Sequence, residues 1–362
     1  MNIGIYIFFL LNCLVLCGAG IQRKKQNRLW TATLAMIMVW MLLVANHEGD
    51  NQEYLMLYLN NSEIIFKDTG YALLISIGKK LHLDFFMFKK VIVAFALCLW
   101  VHAQKKYVDN IAYVFFLYMV SFVFMDSQVL RNFLSMCMLM LSINYLADTS
   151  KKVNAVCFVV CTIVAASIHK GFVFYLIFLV VLFRERTQFA KVLFSVGIIT
   201  TAVTILNNNK IPFVNILVSI FAEDSRSVVF KTTTRFGALP VLALYLYMLL
   251  IVWYLEIRKT GLQETKKINY IQFVFMLDIC MAPILPLVLT NLNFYRLVKN
   301  VAVINYGVLA ISYQRRKKVV ARVGVLALSM VLALGWLWFE TKVFATYESV
   351  VQPVLDGYLF FE

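Results

Sequence analysis

Long apolar runs separated by short clusters of charge dominate this chain of 362 residues. A helix needs about 17 to 25 mostly apolar residues to cross a bilayer. About twelve runs reach this length or fall slightly short of it, at residues 3–20, 29–46, 86–104, 108–125, 130–147, 153–168, 171–183, 190–207, 240–257, 269–289, 299–313 and 319–338. The pattern therefore predicts an all-α, polytopic integral membrane protein with about twelve transmembrane helices, forming a single membrane-embedded domain over residues 1–362.

Two connections are much longer than the others, at about residues 47–85 and 208–239. Each contains a short apolar stretch, Tyr71 to Ile77 in the first and Phe213 to Ala222 in the second. Both stretches are too short to span a bilayer, so we expect short amphipathic helices that lie against the bundle. Long connections are often functional, which directs attention to these two segments.

The composition excludes several classes of protein. Hydrophobic residues make up 62% of the chain and charged residues only 15%, with a mean hydropathy of +0.80. A soluble enzyme, a nucleic-acid-binding domain and a disordered protein are all excluded by so small a polar fraction. All seven cysteines fall inside apolar runs, away from any ligand-like spacing with histidine, so we predict neither a disulfide framework nor a metal site, and no cofactor.

The net charge of +15 indicates how the chain is oriented in the membrane once the charged residues are sorted by loop. If the N-terminus lies outside, the cytoplasmic connections carry 20 basic and 5 acidic residues, and the outer ones carry 14 basic and 13 acidic residues. Asp278 falls inside a membrane run. Cytoplasmic loops of membrane proteins are enriched in Lys and Arg. Twelve helices with both termini extracytoplasmic place the basic excess in the cytoplasmic loops. The basic excess therefore does not indicate a nucleic-acid partner.

The candidate chemistry lies in ionisable residues at the outer ends of the predicted helices, where such groups are costly unless they have a partner or a function. They are Asp50, Glu53, Asp68, Arg131, His169, Lys170, Arg235 and Arg296. For each of them, a role as an interfacial anchor is the alternative. Arg131 stands out because it opens an otherwise apolar helix with only Asp126 near it in sequence. Its bidentate donors suit a phosphate diester or a pyrophosphate.

Two further features leave alternatives open. His169 and Lys170 occupy a very short connection, which indicates either a polar hairpin turn or a proton-transferring His beside a phosphate-binding ammonium. Asp278 precedes Pro283 and Pro286, which should kink the helix. Its carboxyl group is predicted to pair with a buried cation, to be a protonated structural acid, or to serve transport.

Four short motifs resemble the EpsG-like branch of the Wzy-type polysaccharide polymerases. They are Asp50-Asn51-Gln52-Glu53-Tyr54 with Tyr58, Asp68-Thr69-Gly70-Tyr71, Leu130-Arg131-Asn132, and Ile168-His169-Lys170-Gly171. The resemblance covers roughly residues 47–175 by motif and the rest by hydropathy. The chain departs from the family pattern at Thr69, Asn132 and Lys170-Gly171, where the family usually has Pro, Gln and Ser, and none of these differences removes a charge.

The resemblance implies a glycosyltransferase of the bacterial inner membrane, with its active site facing the periplasm or exterior. Because the sequence shows no metal-ligand constellation, we expect this enzyme to be metal-independent. It would polymerise undecaprenyl-pyrophosphate-linked oligosaccharide repeat units into O-antigen, capsular or exopolysaccharide chains. Its partners would be that lipid-linked oligosaccharide, membrane lipids and, as an option, a chain-length regulator protein. The expected pyrophosphate-binding residues are Arg131, Lys170, Arg296 and Arg235, and the candidate catalytic groups are Asp50, Asp68 and His169.

Two other functions remain open at the level of sequence. A flippase for the lipid-linked unit should line a central cavity with charges at membrane depth, but Asp278 is the only clear mid-helix charge. Another membrane glycosyltransferase, or an O-antigen ligase, would share the same surface chemistry. Mutants of a polymerase should still export single repeat units, whereas a blocked flippase should strand them on the cytoplasmic side.

Overall fold

The computed structural model describes residues 6–8, 10–12, 15, 25–45, 50–60, 68–148, 152–183, 186–211, 237–257, 265–345 and 347–356. Within these residues the regular structure is entirely helical. The stretch from Phe213 to Ala222 and the side chain of Arg235 lie outside the described residues. The second predicted amphipathic helix therefore stays a prediction.

Among the described residues from Lys25 onward, the first half of the chain contains eight α-helices followed by a 3₁₀ helix. Their bounds are α1 Lys25–Val44, α2 Asp50–Leu59, α3 Thr69–Lys80, α4 Phe85–Lys105, α5 Ile111–Ser121, α6 Val123–Gln128, α7 Leu130–Ala147, α8 Lys152–Ile168 and the 3₁₀ helix Lys170–Leu182. The second half contains α9 Arg186–Leu206, α10 Leu239–Ile257, α11 Thr265–Cys280, a 3₁₀ turn Ala282–Ile284, α12 Leu285–Thr290, a 3₁₀ turn Leu292–Phe294, α13 Tyr295–Arg315, α14 Val319–Trp338, a π-helical turn Phe339–Phe344, α15 Tyr347–Val350 and α16 Gln352–Asp356.

Six helical segments of the described chain are long and apolar enough to cross a membrane, namely Phe85–Lys105, Leu130–Ala147, Thr187–Leu206, Leu239–Ile257, Asn269–Thr290 and Val319–Phe344. Four shorter apolar helices accompany them, namely Trp30–Val44, Ile111–Ser121, Val153–Ile168 and Lys170–Leu182. The all-α membrane-type fold is thus confirmed. The count of twelve spans and the position of the termini stay predictions.

Large apolar side chains point outward along these helices, as hydrocarbon solvent would allow. Phe95 on α4 is 64% exposed, Val160 on α8 is 52% exposed and Leu250 on α10 is 57% exposed. In water, so large an apolar surface would promote aggregation. The outward faces therefore support a protein that is embedded in lipid.

The described chain divides into two compact units, Met1–Val173 with Tyr306–Glu362, and Phe174–Asn305. In the first unit, α5 is apolar on every side and all of its residues are buried, as expected for a central helix. The break that follows at Phe122 is bridged by Tyr118, whose hydroxyl donates to the buried Asp126 at 2.8 Å. The Asp126 carboxylate is thus hydrogen-bonded within the core.

Two ion pairs within the first unit connect loops that are predicted to be cytoplasmic. Lys106 lies 3.5 Å from Asp148, and Arg315 lies 3.6 Å from Asp109. Residues predicted to be outside also lie near each other, since the Gln128 amide donates to the carbonyl of Ser349 at 2.7 Å. Each pairing joins residues that the charge pattern assigns to the same side of the membrane, and the assignment of the sides stays a prediction.

In the second unit, the predicted kink of the helix around Pro283 and Pro286 is confirmed. The helix α11 ends at Cys280, and the chain passes through a 3₁₀ turn into α12. Asp278 is fully buried before this break; its carboxylate accepts from the Asn305 amide at 2.8 Å, and its carbonyl accepts from the Tyr245 hydroxyl at 2.7 Å. Among the described residues its side-chain partner is an amide, so the predicted pairing with a buried cation is not observed.

Candidate functional site

An ion pair between Asp68 and Arg131 forms the centre of the candidate site. The Arg131 Nη1 lies 2.7 Å from Asp68 Oδ2, and the two side chains are only 17% and 6% exposed. Asp68 occupies the N-cap position of α3, but its side chain does not cap the helix. An Asp at this position usually binds the first backbone N–H groups. Here the carboxylate instead holds the guanidinium of a residue 63 positions away.

Two tyrosines enclose the Arg131 guanidinium. Its central carbon lies 5.7 Å from the ring centroid of Tyr54 and 6.0 Å from that of Tyr71, and it also hydrogen-bonds the Tyr54 side chain. The two rings meet edge to face at a centroid distance of 5.9 Å. A cation within about 6 Å of an aromatic face is attracted to it. The site therefore fixes one arginine between one carboxylate and two aromatic rings.

Close packing of α3 against α8 determines where Asp68 lies. A Cβ atom on Gly70 would contact the Ser167 hydroxyl and lie 2.9 Å from the Ser167 carbonyl carbon. Only glycine allows the two backbones to approach so closely. The start of α3, with Asp68 and Tyr71, is thereby held beside the end of α8, two residues before His169.

Arg131 and His169 lie at the same end of the helical hairpin α7–α8. The Ser135 hydroxyl donates to the Ala165 carbonyl at 2.9 Å, which fixes the register of the two helices. Arg131 precedes Ser135 by four residues and His169 follows Ala165 by four, so in an antiparallel pair each lies about 6 Å further toward the same end. The structure thus brings Asp68, Arg131 and His169 to one end of the first unit.

The remaining predicted site residues are distributed differently. Asp50 is the first residue of α2, and its side chain lies outside the described part of the structure. Lys170 follows His169 directly and is exposed, while the His169 ring is half-buried and packs on Phe172 at 5.9 Å. Arg296 is the second residue of α13 and belongs to the second unit.

Tyr54 and Tyr71 lie within the motifs that resemble the family, but the sequence pattern predicted no role for them. Burial raises the pKa of the Tyr71 phenol above its ordinary value, the nearby Tyr54 phenol adds to the shift, and the Arg131 cation opposes it. The phenol therefore keeps its proton and can act as a hydrogen-bond donor. In the sequence, Tyr71 could have been noticed because it lies one helical turn after Asp68. The contact of Tyr71 with Arg131 depends on the fold and could not be predicted.

A second polar cluster, in the second unit, was also missed. Lys299 and Asn300 on α13 are fully buried, one turn beyond Arg296. The Tyr175 hydroxyl donates to the Leu297 carbonyl at 2.8 Å and also bonds the Asn300 side chain. A lysine and an asparagine near the start of an apolar helix were the available signal in the sequence.

Comparison with known proteins identifies a family. The family model described as the EpsG family matches residues 29–352, which is most of the chain. The match includes Asp68, Arg131 and the two tyrosines that enclose the guanidinium. No curated protein and no solved structure matches the chain.

Proposed function

The chain belongs to the EpsG family, and we propose that it is a glycosyltransferase that polymerises oligosaccharide repeat units carried on undecaprenyl pyrophosphate. The proposed products are O-antigen, capsular or exopolysaccharide chains, assembled at the outer face of the bacterial inner membrane. The observation that carries this proposal is a partly buried arginine, Arg131, held by Asp68 and two tyrosines in a membrane-type helical bundle.

The reaction sets clear chemical demands. The bond between the anomeric carbon of the donor sugar and the pyrophosphate oxygen breaks, and its electron pair leaves with the lipid pyrophosphate. The hydroxyl oxygen of the acceptor sugar forms the new bond to that carbon and loses its proton to a base. A polymerase therefore needs fixed positive charge for the leaving group and a proton acceptor near the sugar hydroxyl.

Arg131 meets the first demand. It lies in the first turn of α7, where the helix dipole is also positive, so two contributions favour an anion. A guanidinium carries five N–H donors, which allows it to bind a carboxylate and a phosphate oxygen together. We assign Asp68 to holding the guanidinium in place and Lys170 to a second, more exposed positive charge at the same end.

His169 is our first choice for the base. Its ring lies at the same end of the hairpin as Arg131, and histidine is the side chain best suited to accept protons near neutral pH. Because Asp68 is engaged by Arg131, its carboxylate is less available for that role, and Asp50 is the second candidate. Charge stabilisation in this scheme comes from Arg and Lys without a metal ion.

A genetic experiment tests the proposal against the flippase alternative. A bacterial strain that lacks this gene should export lipid-linked single repeat units to the outer leaflet but make no long polysaccharide, and the intact gene should restore long chains. Surface labelling of the glycan, followed by separation by length, measures both quantities. Accumulation of the repeat units on the cytoplasmic side would instead contradict polymerisation and support transport.

A further inference from the structure

Tyr71 is the one tyrosine whose hydroxyl is buried without a hydrogen-bond partner in the described part of the chain. The residue is only 1% exposed. Other buried tyrosines bond their hydroxyls within the fold, such as Tyr118 with Asp126 and Tyr306 with Ser121. A buried polar atom without a partner lowers the stability of the folded state, so its retention calls for an explanation.

The position of the hydroxyl suggests what its partner is. Tyr71 lies in the first turn of α3, with Arg131 6.0 Å from its ring centroid and the Tyr54 ring packed edge to face against it. The phenol is a protonated donor, and the adjacent Arg131 is a cation. A donor beside a cation complements an anionic oxygen better than it complements a neutral group.

We propose that Tyr71 is a substrate-binding residue, whose hydroxyl donates a hydrogen bond to a phosphate oxygen of the lipid-linked substrate bound at Arg131. This inference rests on the proposed function and extends it to a residue that contacts the leaving group. The phosphate oxygen would supply the hydrogen-bond partner that the described residues do not provide.

A single oxygen atom separates the test variant from the natural protein. Tyr71→Phe keeps the ring that packs on Tyr54 and Arg131, and it removes only the hydroxyl. Because that hydroxyl has no partner among the residues that the structure describes, the melting temperature of the unliganded protein should stay the same or rise. A matched control is Tyr58→Phe on α2, since the Tyr58 hydroxyl donates to the Leu83 carbonyl at 2.6 Å and its loss should lower the melting temperature.

The binding measurement uses the purified full chain in zwitterionic detergent, titrated with farnesyl pyrophosphate as a lipid pyrophosphate probe. We expect Tyr71→Phe to bind the probe about tenfold more weakly than the natural protein, and Tyr58→Phe to bind it equally well. A parallel titration with phosphatidylglycerol distinguishes a bilayer headgroup from the substrate. The inference predicts that Tyr71→Phe leaves that titration unchanged.

Three results would overturn the inference. Equal affinity of Tyr71→Phe and the natural protein for farnesyl pyrophosphate would show that the proposed hydrogen bond does not form. A melting temperature that falls as far as in Tyr58→Phe would show a partner inside the fold, and a loss confined to phosphatidylglycerol would assign the hydroxyl to the bilayer. If the natural protein neither binds the probe nor polymerises repeat units, the proposed function itself fails; if it does both, only the role of Tyr71 is in question.

Discussion

At the scale of single residues, the candidate site depends on one arginine and the groups that hold it. Arg131 could be picked out from the sequence because a cation at the start of an apolar helix is costly without a partner, and the predicted partner was a phosphate group. In the structure the guanidinium pairs with Asp68, which lies 63 positions earlier in the chain, and the phosphate stays a prediction. No spacing rule connects two residues on separate helices, so this pairing could not be predicted from the pattern alone.

The first prediction replaces Arg131 by lysine, which keeps the charge but loses the planar set of donors. Arg131→Lys should lower the rate of polymerisation about 10²-fold, because one positioned donor to a developing anion typically has that effect. Arg315→Lys is the matched control, since Arg315 also pairs with an aspartate, Asp109, at 3.6 Å but lies at the predicted cytoplasmic end. Chain-length distributions in cells with equal amounts of each protein provide the measurement; equal chains from both variants would argue against a catalytic site at Arg131.

At the scale of helices, α3 is the element that assembles the site. Glycines at its two ends allow close packing, Gly70 against Ser167 on α8 and Gly78 against Phe88 on α4. The expected short helix around Tyr71 to Ile77 is present as Thr69–Lys80 and lies against the bundle. Its apolar core was visible in the sequence, whereas the role of its first turn in carrying Asp68 and Tyr71 depends on tertiary packing.

The second prediction uses these glycines. Gly70→Ala should force α3 away from α8, displace Asp68 from Arg131, and reduce polymerisation by at least about tenfold, since small displacements in a catalytic site are costly. Gly324→Ala on α14 is the matched control, because a Cβ at that position meets no atom within 4 Å. That control should retain full activity and gain up to about 1 kcal/mol from better helix propensity. Full activity of Gly70→Ala would show that the packing of α3 does not position the site.

The helix boundaries show which physical signals the sequence carries. The predicted span 130–147 coincides with α7, and the proline pair 283 and 286 marked the real break after α11. The span 108–125 was predicted as one helix, but the chain breaks at Phe122, which is apolar like its neighbours. The helix α2 was missed because its mixed polar and apolar residues gave no run of membrane length.

At the scale of the whole molecule, the charge pattern predicts which end of the first unit faces each side of the membrane. The pairs Lys106–Asp148 and Arg315–Asp109 join loops that the charge pattern assigns to the cytoplasm. Asp68, Arg131 and His169 share an end that the same pattern assigns to the exterior. An active site on that face would receive repeat units after they have crossed the membrane, which suits a polymerase better than a flippase.

The most direct test of polymerisation is a reconstituted reaction. The purified full chain would be placed in liposomes and supplied with one lipid-linked repeat unit, and products would be separated by length while released lipid pyrophosphate is counted. We expect a ladder of lengthening glycans, with one lipid pyrophosphate released for each new glycosidic bond, and a ladder strongly reduced by Arg131→Lys. Repeat units that cross the bilayer without lengthening, or a ladder unaffected by Arg131→Lys, would contradict this expectation.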